Sequence, residues 1–174
     1  MPTLIEIKAK CQNPQAVKAI LEAKMAYFKG VDHQIDTYFT VPNGRLKLRQ
    51  GNMENTLIHY QRENQAGPKK SSVNLYHPRD GAALKRTLDA ALGQLVEVDK
   101  HRHIYFIDNV KFHVDEVKGL GSFVEIEAID DSDSNMEPEL LKQCKYYMEL
   151  LKIEEEDLIE NSYSDMILEQ KISL

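Results

Sequence analysis

The sequence has no tryptophan, only two cysteines, and no uninterrupted apolar stretch long enough to cross a bilayer. Cys11 and Cys144 cannot build a disulfide framework or a structural zinc site. A reduced, cytoplasmic setting is therefore the expectation. The opening Met1-Pro2-Thr3-Leu4-Ile5-Glu6 carries no basic segment followed by an apolar one, so no secretory signal is expected. Positive charge is also in deficit: 22 Lys and Arg stand against 28 Asp and Glu, a net charge of −6. Attraction to nucleic-acid phosphates needs a basic surface, which argues against general nucleic-acid binding. There is no internal repeat and no low-complexity tract. What remains is a chain of 174 residues, 42% of them hydrophobic, long enough for a single domain (1–174) with a sizeable core. A homodimer is compatible with it.

Hydrophobic periodicity divides the chain into short strands and a few helices. Leu4 to Cys11 alternates as a strand does. Asn13-Pro14 then reads as a helix cap followed by proline in the first turn. Val17, Ile20, Leu21, Met25 and Phe28 recur at helical spacing, which predicts one helix stopping near Gly30. Strand patterns follow at about 31–40, 44–50, 55–63 and 71–76, with turn chemistry at Pro42-Asn43-Gly44. A second helix begins after Asp80 and ends at Gly93. Three further strands are predicted at roughly 95–107, 109–117 and 121–129. A third helix carries Leu140, Leu141, Cys144, Met148 and Leu151, and the acidic tail from Glu154 to Gln170 is expected to be helical too, so that about 136–170 packs on the sheet. The hairpin-like connections predict an α+β chain with a largely antiparallel sheet.

Residues two apart on a strand share a face. Ile5, Ile7, Ala9 and Cys11 lie opposite Glu6, Lys8 and Lys10. Leu46 and Leu48 lie opposite Arg45, Lys47 and Arg49. Phe112 and Val114 oppose Lys111, His113 and Asp115, and Val124, Ile126 and Ala128 oppose Glu125 and Glu127. A packed face and a solvated face would explain any one strand. Runs of a single sign, such as Arg45/Lys47/Arg49 and Lys100/Arg102, are less ordinary on a wet face. The helices also need the apolar face to cover. Rolling about eight such strands into a closed antiparallel barrel places the helices outside and the charges inside.

The charged face then defines the ligand. Lys8, Lys47, Arg49, Arg62, Lys100, Arg102 and Lys111 outnumber Glu6, Asp115, Glu125 and Glu127 by three, within a chain of net −6. Such a lining is costly to desolvate unless something charged occupies it. Converging Arg and Lys donors suit several phosphate oxygens. Carboxylates among them suit a hard divalent ion, Mg²⁺ or Mn²⁺, that takes oxygen ligands from protein and phosphate together. A metal-bound polyphosphate is the expected occupant.

The same residues carry a family likeness. Glu6-Ile7-Lys8 resembles the latter half of the ExExK motif of the CYTH superfamily, the triphosphate tunnel metalloenzymes. Gln34-Ile35-Asp36-Thr37-Tyr38-Phe39 and Pro42-Asn43-Gly44-Arg45-Leu46-Lys47-Leu48-Arg49 resemble its second and third strands, closest to the class IV adenylyl cyclase-like branch. Lys100-His101-Arg102 is similar to the K-x-R strand. Asp115-Glu116-Val117, Gly119-Leu120-Gly121 and Phe123-Val124-Glu125-Ile126-Glu127 are similar to the block that ends the barrel. The likeness runs from about residue 3 to 168. It implies an antiparallel β-tunnel and metal-dependent chemistry on a nucleotide or inorganic triphosphate: either cyclisation of ATP to cyclic AMP or hydrolysis. By the same likeness Glu6, Glu125 and Glu127 would hold the metal, and Lys8, Lys47, Arg49, Arg62, Lys100 and Arg102 the phosphates. Lys8, Lys100 and Asp115 would carry the reaction. One departure stands out: Leu4 occupies the place of the first glutamate, which leaves a non-catalytic polyphosphate or nucleotide binder as the alternative.

Other residues are expected to be structural. His101 and His103 share a face opposite Lys100 and Arg102 and lack a third ligand for zinc. His113 is expected as a hydrogen-bonder in the lining, and Cys144 as a core residue. Lys69 and Lys70 follow Gly67-Pro68, and either close over a phosphate chain or are solvated loop charges.

Overall fold

A computed structural model describes residues 3–61, 64–132 and 136–173. Eight strands follow the alternation: β1 (Thr3–Lys10), β2 (Tyr27–Phe39), β3 (Arg45–Gln50), β4 (Asn55–Gln61), β5 (Lys69–Tyr76), β6 (Gln94–Ile107), β7 (Val110–Val117) and β8 (Gly121–Asp130). They close into a barrel in the order β1-β5-β4-β3-β2-β6-β7-β8, with every pair antiparallel. The helices are α1 (Pro14–Ala23), α2 (Gly81–Leu92), α3 (Glu137–Leu150) and α4 (Tyr163–Ile172). Among the described residues, no helix is long and apolar enough to cross a membrane.

The outward apolar residues of β1, β7 and β8 form the main core. Ile7, Phe112, Ile126 and their neighbours pack beneath Val17 and Leu21 of α1 and Leu140 and Cys144 of α3. Each such fully buried side chain contributes roughly 1.5–3 kcal/mol, so this core holds the two helices on the barrel's outer wall. The Cys144 thiol donates to the Ile5 carbonyl at 3.3 Å, and burial pushes its pKa up to about 11. It is an inert core residue, as expected.

Two expectations are corrected. α1 is capped by Asn13 as predicted (Ala16 N–H to Oδ1, 3.1 Å), but it ends at Ala23, well short of Gly30. Met25 adopts a left-handed φ of 60°, and the chain turns into β2, where Tyr27 and Phe28 pair with Phe106 and Tyr105. Cross-strand aromatic pairing outweighs the helical spacing of Met25 and Phe28. The tail is also not one helix lying on the outer wall. After a single 3₁₀ turn at Glu155–Asp157, Leu158 bridges to Ala9, and the Ile159 N–H donates to the Lys8 carbonyl. Beyond it, among the described residues, only α4 is helical, with Ser162 and Asp165 capping each other reciprocally. α4 covers one end of the barrel: Tyr163 packs with the inward-facing Tyr38, Tyr60, Val96, Val98, Val117 and Phe123. Arg45 fastens the helix by a 2.6 Å ion pair to Asp165.

Candidate active site

The inward faces of the strands enclose a cavity of about 640 Å³. Its ionic wall consists of two carboxylate-centred clusters. Asp36, 1% exposed on β2, accepts from Arg49 through both oxygens (Nε and Nη2, 2.9 Å each) and from Lys100 at 2.8 Å; Lys47 lies 3.2 Å away. Three cations from β3 and β6 thus converge on one buried carboxylate. Burial favours the protonated acid, but Arg49, Lys100 and Lys47 outweigh it and hold the carboxyl well below the ordinary range. Burial in turn brings the Lys100 ammonium down to about 7, opposed by Asp36 and reinforced by Arg49 and Arg102.

The second cluster lies across β6, β7 and β8. Arg102 donates bidentately to Asp115, 2.7 Å on each oxygen, and also to Glu125 at 3.2 Å. Glu125 further receives Lys8 at 3.3 Å and faces His113 Nδ1 at 2.9 Å. The Tyr163 hydroxyl donates to Asp115 at 2.8 Å, and Lys8 sits 4.0 Å over the Tyr163 ring. Asp115 therefore lies behind Arg102 with both oxygens engaged, where it orients the guanidinium. Burial opposes ionisation of Glu125, but Arg102 and Lys8 overcome it and keep the group a carboxylate. Burial and Arg102 lower His113, so its ring is neutral near pH 7. Its Nε2 is buried without a hydrogen-bond partner among the described residues.

Glu54, from the β3–β4 loop, reaches into the cavity and bridges Lys111 (2.6 Å) and Arg49 (3.0 Å). Burial raises the pKa of its carboxyl, but Lys111 and Arg49 win and hold it low. Asp32 fixes the loop: fully buried, it accepts the Met53 and Glu54 amides at 2.9 and 3.0 Å and the Gln34 side chain at 2.8 Å. Gly51 is required by this clamp, since a Cβ there would stand 2.6 Å from an Asp32 oxygen.

The donor set tests whether a divalent ion suits the site. Glu6 and Glu127 are register partners on β1 and β8, and both line the cavity. Ligating atoms of Glu125, Glu127 and His113 all lie within 4.8 Å of one another. Carboxylate oxygens converging on the ionic wall of the cavity fit Mg²⁺ or Mn²⁺. Leu4 also lines the cavity, so the position of the absent glutamate faces the site with an apolar side chain.

The structure thus brings Glu6, Lys8, Lys47, Arg49, Lys100, Arg102, Glu125 and Glu127 to one cavity, with Asp115 behind them. Arg62 lies outside the described residues. Lys69 and Lys70 do not close over the cavity: Lys69 is buried and donates to the Glu160 carbonyl, and Lys70 pairs with Glu137 of α3. His101 stacks on His33 on the outer face, with ring centroids 4.3 Å apart. Sequence reasoning missed Asp36, Glu54 and Tyr163. Asp36 shares its strand face with Gln34 and Tyr38, so alternation could have found it. Glu54 sits in a loop and Tyr163 follows an irregular stretch, where no period operates.

The CYTH domain family model matches residues 3–163. None of the curated proteins matches the chain. Among solved structures, the PH1012 protein of Pyrococcus horikoshii OT3 is 24% identical, with a TM-score of 0.78 over 93% of this chain and 98% of that one. A candidate adenylate cyclase of Vibrio parahaemolyticus is 16% identical, with a TM-score of 0.72 over 95% and 97%. The candidate adenylyl cyclase HpAC1 of Hippeastrum, described as having a dominant triphosphatase activity, is 15% identical, with a TM-score of 0.62 over 98% and 97%. At these identities the likeness is one of fold.

Proposed function

The chain belongs to the CYTH domain family, and from that premise we propose that it is a divalent-metal-dependent enzyme that cleaves a phosphoanhydride bond of a triphosphate. The observation that carries this reading is the convergence of Lys47, Arg49 and Lys100 on Asp36, beside Arg102 and Lys8 on Glu125. Asp36 and Glu54 offset only part of the charge of Lys47, Arg49, Lys100 and Lys111, and a phosphate chain completes it. The buried carboxylates hold the cations in place before substrate arrives, so little reorganisation is needed as charge develops on the departing phosphate. Glu6, Glu125 and Glu127 would hold Mg²⁺ or Mn²⁺, which when bound neutralises phosphate oxygens and polarises a nucleophilic oxygen. Asp115 orients Arg102. Lys8 of β1 and Lys100 of β6 contact the phosphates.

A product assay separates the outcomes. Metal-stripped protein is supplied with Mg²⁺ or Mn²⁺ and with ATP or tripolyphosphate, and phosphate, pyrophosphate and cyclic AMP are measured. Orthophosphate release indicates hydrolysis; cyclic AMP with pyrophosphate indicates cyclisation. Binding without turnover under either metal supports the second reading, a non-catalytic binder, which Leu4 in the cavity favours.

Lys100 gives this reading a pH signature. Its free value lies near 7, and the negative charge of a bound triphosphate raises it. Above pH 7 binding therefore takes up a proton, and affinity falls by up to about tenfold per pH unit until the bound-state value is reached. Calorimetric binding heats at pH 8 are expected to vary with the ionisation enthalpy of the buffer. Lys100→Arg, permanently charged, is expected to remove that dependence. A buffer-independent heat for the native protein would place Lys100 away from the phosphates.

A further inference from the structure

Strand pairing arranges the carboxylate wall in rows across β1, β8 and β7. Lys8, Glu125 and His113 form one row; Glu6, Glu127 and Lys111 form the next; Leu4 and Ile129 lie beyond. The row past Glu6 and Glu127 is therefore apolar and offers a metal no ligand. Both oxygens of Glu125 already hold a cation, Lys8 on Oε1 at 3.3 Å and Arg102 on Oε2 at 3.2 Å. A metal with no ligand at Leu4, sharing Glu125 with two cations, needs a further donor, and the Glu125 row ends in one. His113 is 1% exposed, yet its ring makes a single side-chain hydrogen bond, from Nδ1 to Glu125 Oε2 at 2.9 Å, and Nε2 has no partner among the described residues. One bond to an already shared carboxylate does little to offset the burial of an imidazole. Nδ1 also lies 3.9 Å from Glu127 Oε1. Adjacent ligands of an octahedral ion, each at about 2.1 Å, stand roughly 3 Å apart. The spacing to Glu125 matches that, and the spacing to Glu127 needs a shift of less than about 1 Å.

We infer that His113 is itself a metal ligand, binding through Nδ1 beside Glu125 and Glu127, and that it compensates for the oxygen ligand absent at Leu4. The ligand set is thereby moved along the barrel, from the level of Leu4 to that of His113. The ion replaces the proton on Nδ1, which moves to Nε2, so the ring stays neutral. A nitrogen ligand favours Mn²⁺ over Mg²⁺, because imidazole suits transition metals while Mg²⁺ takes oxygen. This inference rests on the metal-dependent reading above and adds to it the residue that sets the metal preference.

The test uses the metal alone, with no triphosphate present. Metal-stripped protein is loaded with Mn²⁺, and electron-spin-echo spectra are recorded for the native protein and for His113→Asn, whose amide stands near the Nδ1 position. The native spectrum is expected to show modulation from a directly bound imidazole ¹⁴N, and the variant to lack it. In calorimetric titrations the variant's Mn²⁺ affinity is expected to fall at least about tenfold, the lower end of what even a partner behind a ligand contributes, with a smaller fall for Mg²⁺. Bound Mn²⁺ without imidazole modulation in the native protein overturns the inference, whether or not the variant folds, and leaves an all-carboxylate metal site standing. Modulation that persists in His113→Asn, or equal losses for the two metals, overturns it in the same way. No bound Mn²⁺ at all overturns the metal-dependent reading with it.

Discussion

Replacing Asp36 by asparagine is expected to destabilise the protein by about 3–5 kcal/mol, the cost typical of removing one partner from a buried charge cluster. For a domain of this size that corresponds to a melting temperature lower by roughly 6–20 °C. Arg49 keeps Glu54 as a partner, but Lys47 and Lys100 lose the carboxylate that faces them; Lys100, whose charge Asp36 sustains, is pushed further toward its neutral form, and Lys47 is left beside Arg49 without its counter-charge. Tripolyphosphate supplies the missing negative charge, so it should stabilise the variant more than the native protein in thermal melts. The pH dependence has a definite sign. The Asp36 carboxyl is held below its unfolded value, so its contribution is fully present above about pH 4 and is lost as pH falls through the folded-state value. The variant lacks that component, and its stability should fall less steeply in acid. An unchanged melting temperature, with no extra gain from tripolyphosphate, would mean that the cations turn outward and that the ionic cavity is not formed.

The barrel and most of its ionic wall were legible because both rest on one short-range rule. A period of two decides which side chains share a face, and one-signed runs on β3 and β6 are hard to explain on a surface that also meets water. Lys47, Arg49, Lys100 and Arg102 emerge from that rule, as do Glu125 and Glu127. What it could not supply is how charges pair across the barrel. Asp36 meets Lys100 over a separation of 64 residues and Tyr163 meets Asp115 over 48. Those contacts depend on closure and on where the tail returns. The boundary of α1 was misread for a related reason: Met25 and Phe28 match helical spacing locally, while the partners that draw Tyr27 and Phe28 into β2 lie almost eighty residues further along. Glu54 is set by the Asp32 clamp on a loop, which has no periodic signature at all.

The pairing pattern also decides which carboxylate is the informative one to neutralise. Glu125 is engaged by Lys8, Arg102 and His113, so Glu125→Gln disturbs the phosphate-facing cations together with any metal ligand. Glu127 is less entangled. The neutral His113 ring lies 3.9 Å from its carboxylate, and its side chain, 18% exposed, lines the cavity beside Glu6. Glu127→Gln keeps the shape and removes one charged oxygen ligand. Metal-dependent turnover is expected to fall by at least about 100-fold, beyond the roughly 10–100-fold of a residue that only orients a ligand. The melting temperature should change by no more than a few degrees, since no buried cation loses its principal partner. Raising Mg²⁺ or Mn²⁺ should recover part of the rate, because weakened metal affinity is compensated by mass action, whereas a lost proton-transfer group is not. Full activity in Glu127→Gln at low metal would remove the β1–β8 wall as the metal site. A loss of turnover that no metal concentration restores would instead give Glu127 a direct part in moving a proton.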